Sequence, residues 1–333
     1  MNGKIKRALC ALLAVLMLMP AFSLAASDTP NPIPVKARED VTPSPEGIHH
    51  YLMVCIDQWG FDFKTLGSHT DGLILVTVDE FSGRIMLTSF IRDMLVKRWD
   101  GKYGRINNIF YYYQQDELGL RYGDEDSARA GIEQLVNTID THFDLDIEKY
   151  IVVDFTQVQA IVDAIGGVEI TLTSREAARL RSFGINIPSG GTYTLPGYAA
   201  VIYMRIRKVY NEYTDADGVV HHETQDAGRT RRARTVLTSI ADRFADITED
   251  EAWNVIDTVM EHTLITNVTG SDLIEILRLA MELKGTPIEE MRMPMDGAYE
   301  EKPYAGMATV QLDWEKNVES LHEFLFDTGY AVR

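Results

Sequence analysis

From Gly47 onward, short apolar runs alternate with longer stripes of helical period. His50 to Asp57, Leu73 to Asp79 and Arg84 to Phe90 are runs of strand length, and Glu80-Phe81-Ser82-Gly83 turns the last two into a hairpin. Ser127 to Phe143 sets Ala128, Ile132, Leu135, Val136 and Ile139 on one helical face. Tyr150 to Asp154 reads as a buried strand. A short helix follows with Val158, Ile161, Val162 and Ile165 inward, and Gly166 is its natural stop. Val168 to Leu172 is another strand, and a helix runs from near Asp226 to about Asp246. The tail alternates helices (Trp253 to His262, Ser271 to Leu283) with a short extended piece, Met291 to Pro294, and closes on a helix from Trp314 to Phe326. No repeat and no second linker interrupt residues 47–333, which read as one domain with a core at 47–246 and closing helices at 247–333. A tight hairpin among alternating helices and strands predicts an α/β/α sandwich with a mixed, partly antiparallel sheet.

The segment before Gly47 has a different pattern. Lys4, Lys6 and Arg7 precede an apolar run from Ala8 to Met19, then Pro20 and the small residues Ser23-Leu24-Ala25-Ala26. Residues 1–26 therefore read as a cleavable signal peptide or an N-terminal membrane anchor. Either places the remainder outside the cytoplasm, secreted or held at the outer face of the membrane. Residues 27–46 contain five prolines and few large apolar groups, so an extended linker is expected. Cleavage would leave Cys55 as the only cysteine, in an apolar strand, where a buried inert thiol is expected. The segment removed holds three basic and no acidic residues, which shifts the formal charge from −18 to −21, with 29 Lys and Arg facing 50 Asp and Glu. Such a chain is repelled by nucleic acid and by anionic membrane surfaces, so any polyanion must bind in a local basic pocket.

Arginines and aspartates at the edges of the predicted elements supply the candidate chemistry. Arg92-Asp93 follows the strand Arg84 to Phe90, Asp57 ends one apolar strand and Asp71 precedes another. Strand ends are where α/β sites gather. Arg205 and Arg207 differ by two, so in extended chain both point to one face. On the helix after Asp226, Arg229 lies within about 20° of Val236 and Ile240, the inward stripe. A guanidinium there needs a partner, either Asp226 or a ligand anion. Arg231 and Arg234 point elsewhere and are expected in solvent. Guanidinium forks bind phosphate oxygens, and one or two carboxylates suit Mg²⁺ whose remaining ligands come from phosphates. The pieces together suggest a pocket for a metal-bound diphosphate. His221-His222-Glu223 lacks the spacing of a zinc site, and Tyr111-Tyr112-Tyr113 could line a lipid or sugar groove. Asn267-Val268-Thr269 fits a glycosylation sequon.

The order of these pieces is more specific than any one of them. The series runs Asp57, Thr70-Asp71, Ile91-Arg92-Asp93, Arg105-Ile106-Asn107, Tyr150 to Phe155 and Asp163-Ala164-Ile165-Gly166-Gly167-Val168. It continues through Leu195-Pro196-Gly197, Tyr203-x-Arg205-x-Arg207 and Asp226-x-Gly228-Arg229. The whole resembles the LytR-CpsA-Psr family over about Gly47 to Phe244. The resemblance implies an extracytoplasmic phosphotransferase that joins a glycopolymer, carried on undecaprenyl diphosphate, to peptidoglycan. It implies Mg²⁺, with Mn²⁺ as a substitute, on Asp57 and Asp71, and Arg92, Arg205, Arg207 and Arg229 on the diphosphate. Asp226 orients that cluster, and Arg105 and Arg232 join the substrate contacts. The polyprenyl tail lies in an apolar tunnel between sheet and helices. Asp93, then Asp226, are the candidates for the base that frees the acceptor hydroxyl.

Three positions depart from the family pattern. Ala233 follows Arg232 where glutamine is usual, Arg105 replaces lysine, and the N-terminus looks more like a signal peptide than an anchor. Two other functions fit a site of this kind. A hydrolase would use water as acceptor, and a non-catalytic module would bind prenyl-linked glycan without turnover. Direct DNA binding is opposed by the export signal and by the acidity of the chain.

Overall fold

The computed structural model describes residues 30–64, 68–120, 123–207, 209, 212–214, 220–222, 225–246, 248, 253, 257–258, 261, 264–283 and 285–326. The first part of the chain forms β1 (Ile48–Ile56), β2 (Thr70–Asp79), β3 (Arg84–Phe90), β4 (Leu95–Lys97), β5 (Tyr103–Arg105), the short α1 (Ile109–Tyr112) and α2 (Glu125–Phe143). The middle holds β6 (Lys149–Asp154), α3 (Phe155–Ala164), β7 (Val168–Leu172), α4 (Ser174–Arg181), β8 (Gly191–Leu195), α5 (Gly197–Met204), β9 (Glu212–Thr214) and β10 (Val220–His222). The last part forms α6 (Gln225–Asp246), β11 (Ile265–Thr266), α7 (Gly270–Glu282), β12 (Ile288–Met293), β13 (Tyr299–Glu301), β14 (Val310–Leu312) and α8 (Trp314–Phe326).

Six strands make the central sheet in the order β11-β6-β1-β2-β3-β12. β1–β2, β2–β3 and β6–β11 pair antiparallel, whereas β1–β6 and β3–β12 pair parallel, so the sheet is mixed. β1 alternates strictly, with Ile48, His50, Leu52, Val54 and Ile56 buried and the residues between them half-buried. The buried face meets α2, whose Ala128, Ile132, Leu135 and Ile139 are fully enclosed, and the closing helix α8, which adds Leu321 and Leu325. A second core lies beyond the other face of the sheet. There the β7–β8 hairpin, α3, α4, α5 and Val236 of α6 enclose Val162, Val168, Leu180, Leu195 and Tyr203.

Several expectations change in detail. Residues 203–207 are not a strand, because Tyr203 and Met204 end α5 and Arg205 caps it in helical conformation. β7 pairs only with β8, outside the main sheet. His221 and His222 belong to the β9–β10 hairpin; their side chains and Glu223 lie outside the described residues. The helix expected at Trp253 to His262 is mostly outside them as well, as are residues 1–26, expected to be a signal peptide or anchor. Among the described residues no helix is long and apolar enough to cross a membrane.

The proline-rich stretch is extended but does not hang free. Arg38 pairs with buried Asp140 at 2.6 Å and with Asp146, and Lys36 pairs with Asp144. The Lys36 amide donates to Thr141 O, and Ile33 packs on the first core. The acidic residues at the end of α2 explain this docking, since they offer partners to the stretch's only two cations.

Candidate functional site

Asp57 lies just past the C-terminal end of β1. Phe155 follows β6, and Arg92 lies two residues past β3. These three strands run the same way, so the groups gather at one edge of the sheet. β2 runs the other way and begins at that edge. Its pairing with β1 steps from Cys55–Gly72 to Ile56–Thr70, which leaves Asp71 as the extra residue of a bulge. A bulge re-aims a side chain, and here it brings Asp71 against Asp57. Gly72 permits it, because a Cβ at that position would lie 2.8 Å from Cys55 Cβ.

Four guanidinium groups converge on these two acids. Arg92 Nη1 donates to Asp71 Oδ2 at 2.5 Å, Arg229 Nη1 to the same oxygen at 2.8 Å, and Arg207 Nη2 lies 3.5 Å from it. Arg207 Nη2 is 3.1 Å from Asp57 Oδ2, and Arg205 Nη2 is 3.5 Å from Asp57 Oδ1. Asp57 and Asp71 also lie against each other. Burial pushes Asp57 above the usual carboxylate range, and the neighbouring Asp71 adds to this, over the pull of Arg205 and Arg207. Burial acts on Asp71 too, but Arg229 and Arg92 outweigh it and hold that carboxyl well below the usual range. The two neighbouring carboxyls are thus shifted in opposite directions, Asp57 up and Asp71 down. Two hard-oxygen acids this close suit Mg²⁺ when phosphates complete its ligands. Among the described residues no group of three or more His, Cys, Asp or Glu would hold a metal by itself.

Asp93 bridges Arg92 (3.5 Å) and Arg105 (3.1 Å), so Arg105 reaches the cluster only through Asp93. Asp226 falls in the first turn of α6, but its side chain lies outside the described residues. Arg232 does not join the site. It is fully enclosed in the second core, where it lies 3.4 Å from Glu176 and donates to Ile206 O. Arg231 and Arg234 are not in solvent either. Arg231 pairs with Glu176, and Arg234 pairs with Glu290 and donates to Ser89 Oγ. α6 packs against strands on one side and α5 on another, which half-buries Arg231 and buries Arg234. Asn107 is the site residue that pattern reading missed: its Nδ2 donates to Asp71 Oδ1 at 2.8 Å from a side chain that is almost wholly buried. Its place two residues after Arg105, inside a quoted motif, was the available signal.

The cluster stands at the mouth of a cavity of about 490 Å³ between the sheet and helices α4, α5 and α6. Leu73, Ile74, Phe90, Ile202, Met204 and Ala233 give it an apolar wall, while Asp57, Asp71, Arg205, Arg207 and Arg229 crowd one end. Cys55 also lines it, and burial pushes its thiol up to about 12, with Asp57, Asp154 and Asp71 adding to the effect. Its residue is half-buried against this cavity rather than enclosed in the core, where its strand position was expected to put it.

The sequence and fold have counterparts among known proteins. A model of the LytR_cpsA_psr family matches residues 52–322. The chain belongs to this family. Polyisoprenyl-teichoic acid–peptidoglycan teichoic acid transferase TagU of Bacillus licheniformis is 26% identical over 207 residues, 62% of this chain and 56% of the relative. Biofilm regulatory protein A of Streptococcus mutans is 25% identical over 221 residues, 65% of this chain and 49% of the relative. The chain thus spans about half the length of the curated relatives it matches. A solved structure described as TagT bound to LIIa-WTA superposes with a TM-score of 0.64 at 19% identity, covering 88% of this chain and 96% of that one. Its fold is the one described here.

The family's motif blocks acquire physical roles in this member. Asp163 caps α5 by accepting from the Gly197 amide at 2.7 Å. A Cβ on Gly197 would lie 2.2 Å from Gln159 O, so only glycine lets α5 meet α3 this closely. These blocks do not line the cavity; they set the helix whose far end carries Arg205. The sequon is also structural, because Asn267 accepts from the Tyr150 amide and donates to Glu148 O.

Proposed function

We propose that this protein is an extracytoplasmic phosphotransferase that moves a glycopolymer from a polyprenyl diphosphate onto peptidoglycan. One observation carries the reading: four arginines gather on two acids, Asp57 and Asp71, at one end of a cavity whose wall is apolar. An amphiphile with an anionic head and a hydrocarbon tail fits that division. The transferase name of the Bacillus licheniformis relative supports the reaction, and a matched family structure with bound octaprenyl pyrophosphate (TM-score 0.59, 18% identity) supports the ligand.

In this reading Arg92, Arg205, Arg207 and Arg229 exchange their carboxylate partners for phosphate oxygens. Phosphoryl transfer is mostly positioning and charge neutralisation, and these forks do both. Mg²⁺ on Asp57 and Asp71 would supply further neutralisation of the phosphate oxygens. Asp93, engaged by two guanidinium groups, positions Arg92 and Arg105, which leaves Asp226 as the base for the acceptor hydroxyl. The glycan phosphate forms a bond to the acceptor oxygen, its bond to the bridging oxygen breaks, and polyprenyl phosphate leaves.

The test is a transfer assay with a prenyl-diphosphate-linked glycan and peptidoglycan fragments, with magnesium or EDTA, read by mass spectrometry. A magnesium-dependent glycan–phosphate–muropeptide adduct is expected. Arg92→Ala and Arg205→Ala should each lower its rate by about 10². Near-normal transfer by either variant would sink the assignment of that arginine. Free glycan phosphate without adduct would make the protein a hydrolase, and binding without product a non-catalytic module.

A further inference from the structure

Beyond Phe155, which lines the cavity, lies aromatic surface that the diphosphate does not need. Trp59 is 37% exposed and Tyr198 47%, with ring centroids 6.0 Å apart and planes tilted by 32°. Trp59 also packs on Phe155 at 5.7 Å, and the Arg205 guanidinium lies 4.4 Å from the centre of the Phe155 ring. Arg205, Phe155, Trp59 and Tyr198 thus form an unbroken line that starts at the mouth and ends on the first turn of α5. Tyr198 and Arg205 are seven residues apart, so the line is about 10 Å long at 1.5 Å per residue. Single exposed aromatics are ordinary. A Trp and a Tyr side by side, continuous with a ligand site, mark a surface that something covers.

Position in the site selects the occupant. The apolar wall suits the prenyl chain and the arginines suit the diphosphate, so the group on the far side of the diphosphate leaves past Arg205. Rings with an apolar face and a polar edge match a pyranose, which offers a C–H face and hydroxyl edges. The line is long enough for roughly two sugar rings. Both aromatics are anchored by the chain itself. Trp59 lies two residues beyond Asp57, and the close contact of Gly197 with Gln159 fixes the start of α5. We infer that Trp59 and Tyr198 are a stacking platform for the first sugars of the glycan carried on the diphosphate. The inference rests on the function proposed above.

Calorimetric titration of the full chain tests it with two probes, a short polyprenyl diphosphate and the same diphosphate bearing an N-acetylhexosamine disaccharide. The wild type should bind the disaccharide probe more tightly. Trp59→Ala and Tyr198→Ala should each erode that gain by about fivefold or more, with affinity for the bare probe unchanged. Tyr198→Phe keeps the ring and should keep the gain. A wild type that shows no gain, or alanine variants that retain it, would overturn the platform. Loss of binding to phosphatidylglycerol vesicles with the sugar gain intact would make the pair a membrane contact, and overturn it too. A wild type that fails to bind even the bare probe would overturn the phosphotransferase reading, and the platform with it.

Discussion

At the scale of single residues, the site is two acids shifted in opposite directions. Arg229 and Arg92 hold Asp71 well below the usual carboxylate range, whereas burial pushes Asp57 above it. Their positions were legible, since both flank apolar strands. Their difference was not, because the bulge that aims Asp71 depends on the pairing of β1 with β2. Arg232 shows the reverse failure. Motif order put it with the diphosphate, yet it precedes Val236 by four residues and so shares the inward stripe of α6. It belongs to the second core, beside Glu176, where the two side chains are 0% and 1% exposed. Glu176 would keep Arg231 as a partner, but truncating Arg232 opens a cavity in the second core and removes the hydrogen bond to Ile206 O. Arg232→Ala should therefore lower unfolding stability by about 3 kcal/mol and leave the affinity for polyprenyl diphosphate unchanged in the protein that stays folded. Denaturant melts beside calorimetric titration separate the two effects, and lost affinity at intact stability would return Arg232 to the site.

At the scale of elements, the central strands and α2 were readable because their apolar periods are long and uniform. The segment 203–207 was not. Arg-x-Arg looks the same at the end of a helix as in a strand, and the apolar residues of α5 are inward on nearly every side, so no stripe announces a helix. Both arginines still reach Asp57, because the C-terminus of α5 points them there. That aim depends on the other end of the helix, where Gly197 meets α3. Gly197→Ala should cost about 1–3 kcal/mol through overpacking and should reduce transfer, since α5 must move to relieve the clash. A crystal structure of the variant with α5 unmoved, or transfer at the wild-type rate, would show that the contact is slack.

At the scale of the whole molecule, the stretch 30–46 is part of the folded body. Its composition announced an extended chain but not its partners, which are acids more than 100 residues away. Burial pushes one of them, Asp140, up to about 7, against the amide hydrogen bond from Ile147 and the charge of Arg38. The ordinary value for the group is 3.8. Between those values the folded chain holds a proton that the unfolded chain has lost, so stability falls as pH rises through that window. Asp140→Asn has no proton to lose there. Its melting temperature, measured against wild type, should improve between pH 5 and pH 8, and an unchanged difference would show that Asp140 ionises as an ordinary carboxylate.

The docked stretch has a further consequence, for orientation. A loose linker of 17 residues would let the domain roam through roughly 20 Å of reach and face any direction. Here Asn31 already donates its amide to Gln311, and Lys36 and Arg38 are fastened at the end of α2. Whatever precedes Pro30 therefore meets the domain at one fixed place, as a handle meets a blade. Should that segment be held at a membrane, the cavity would be presented to the bilayer in a set pose, and the substrate proposed above would be met from one side only.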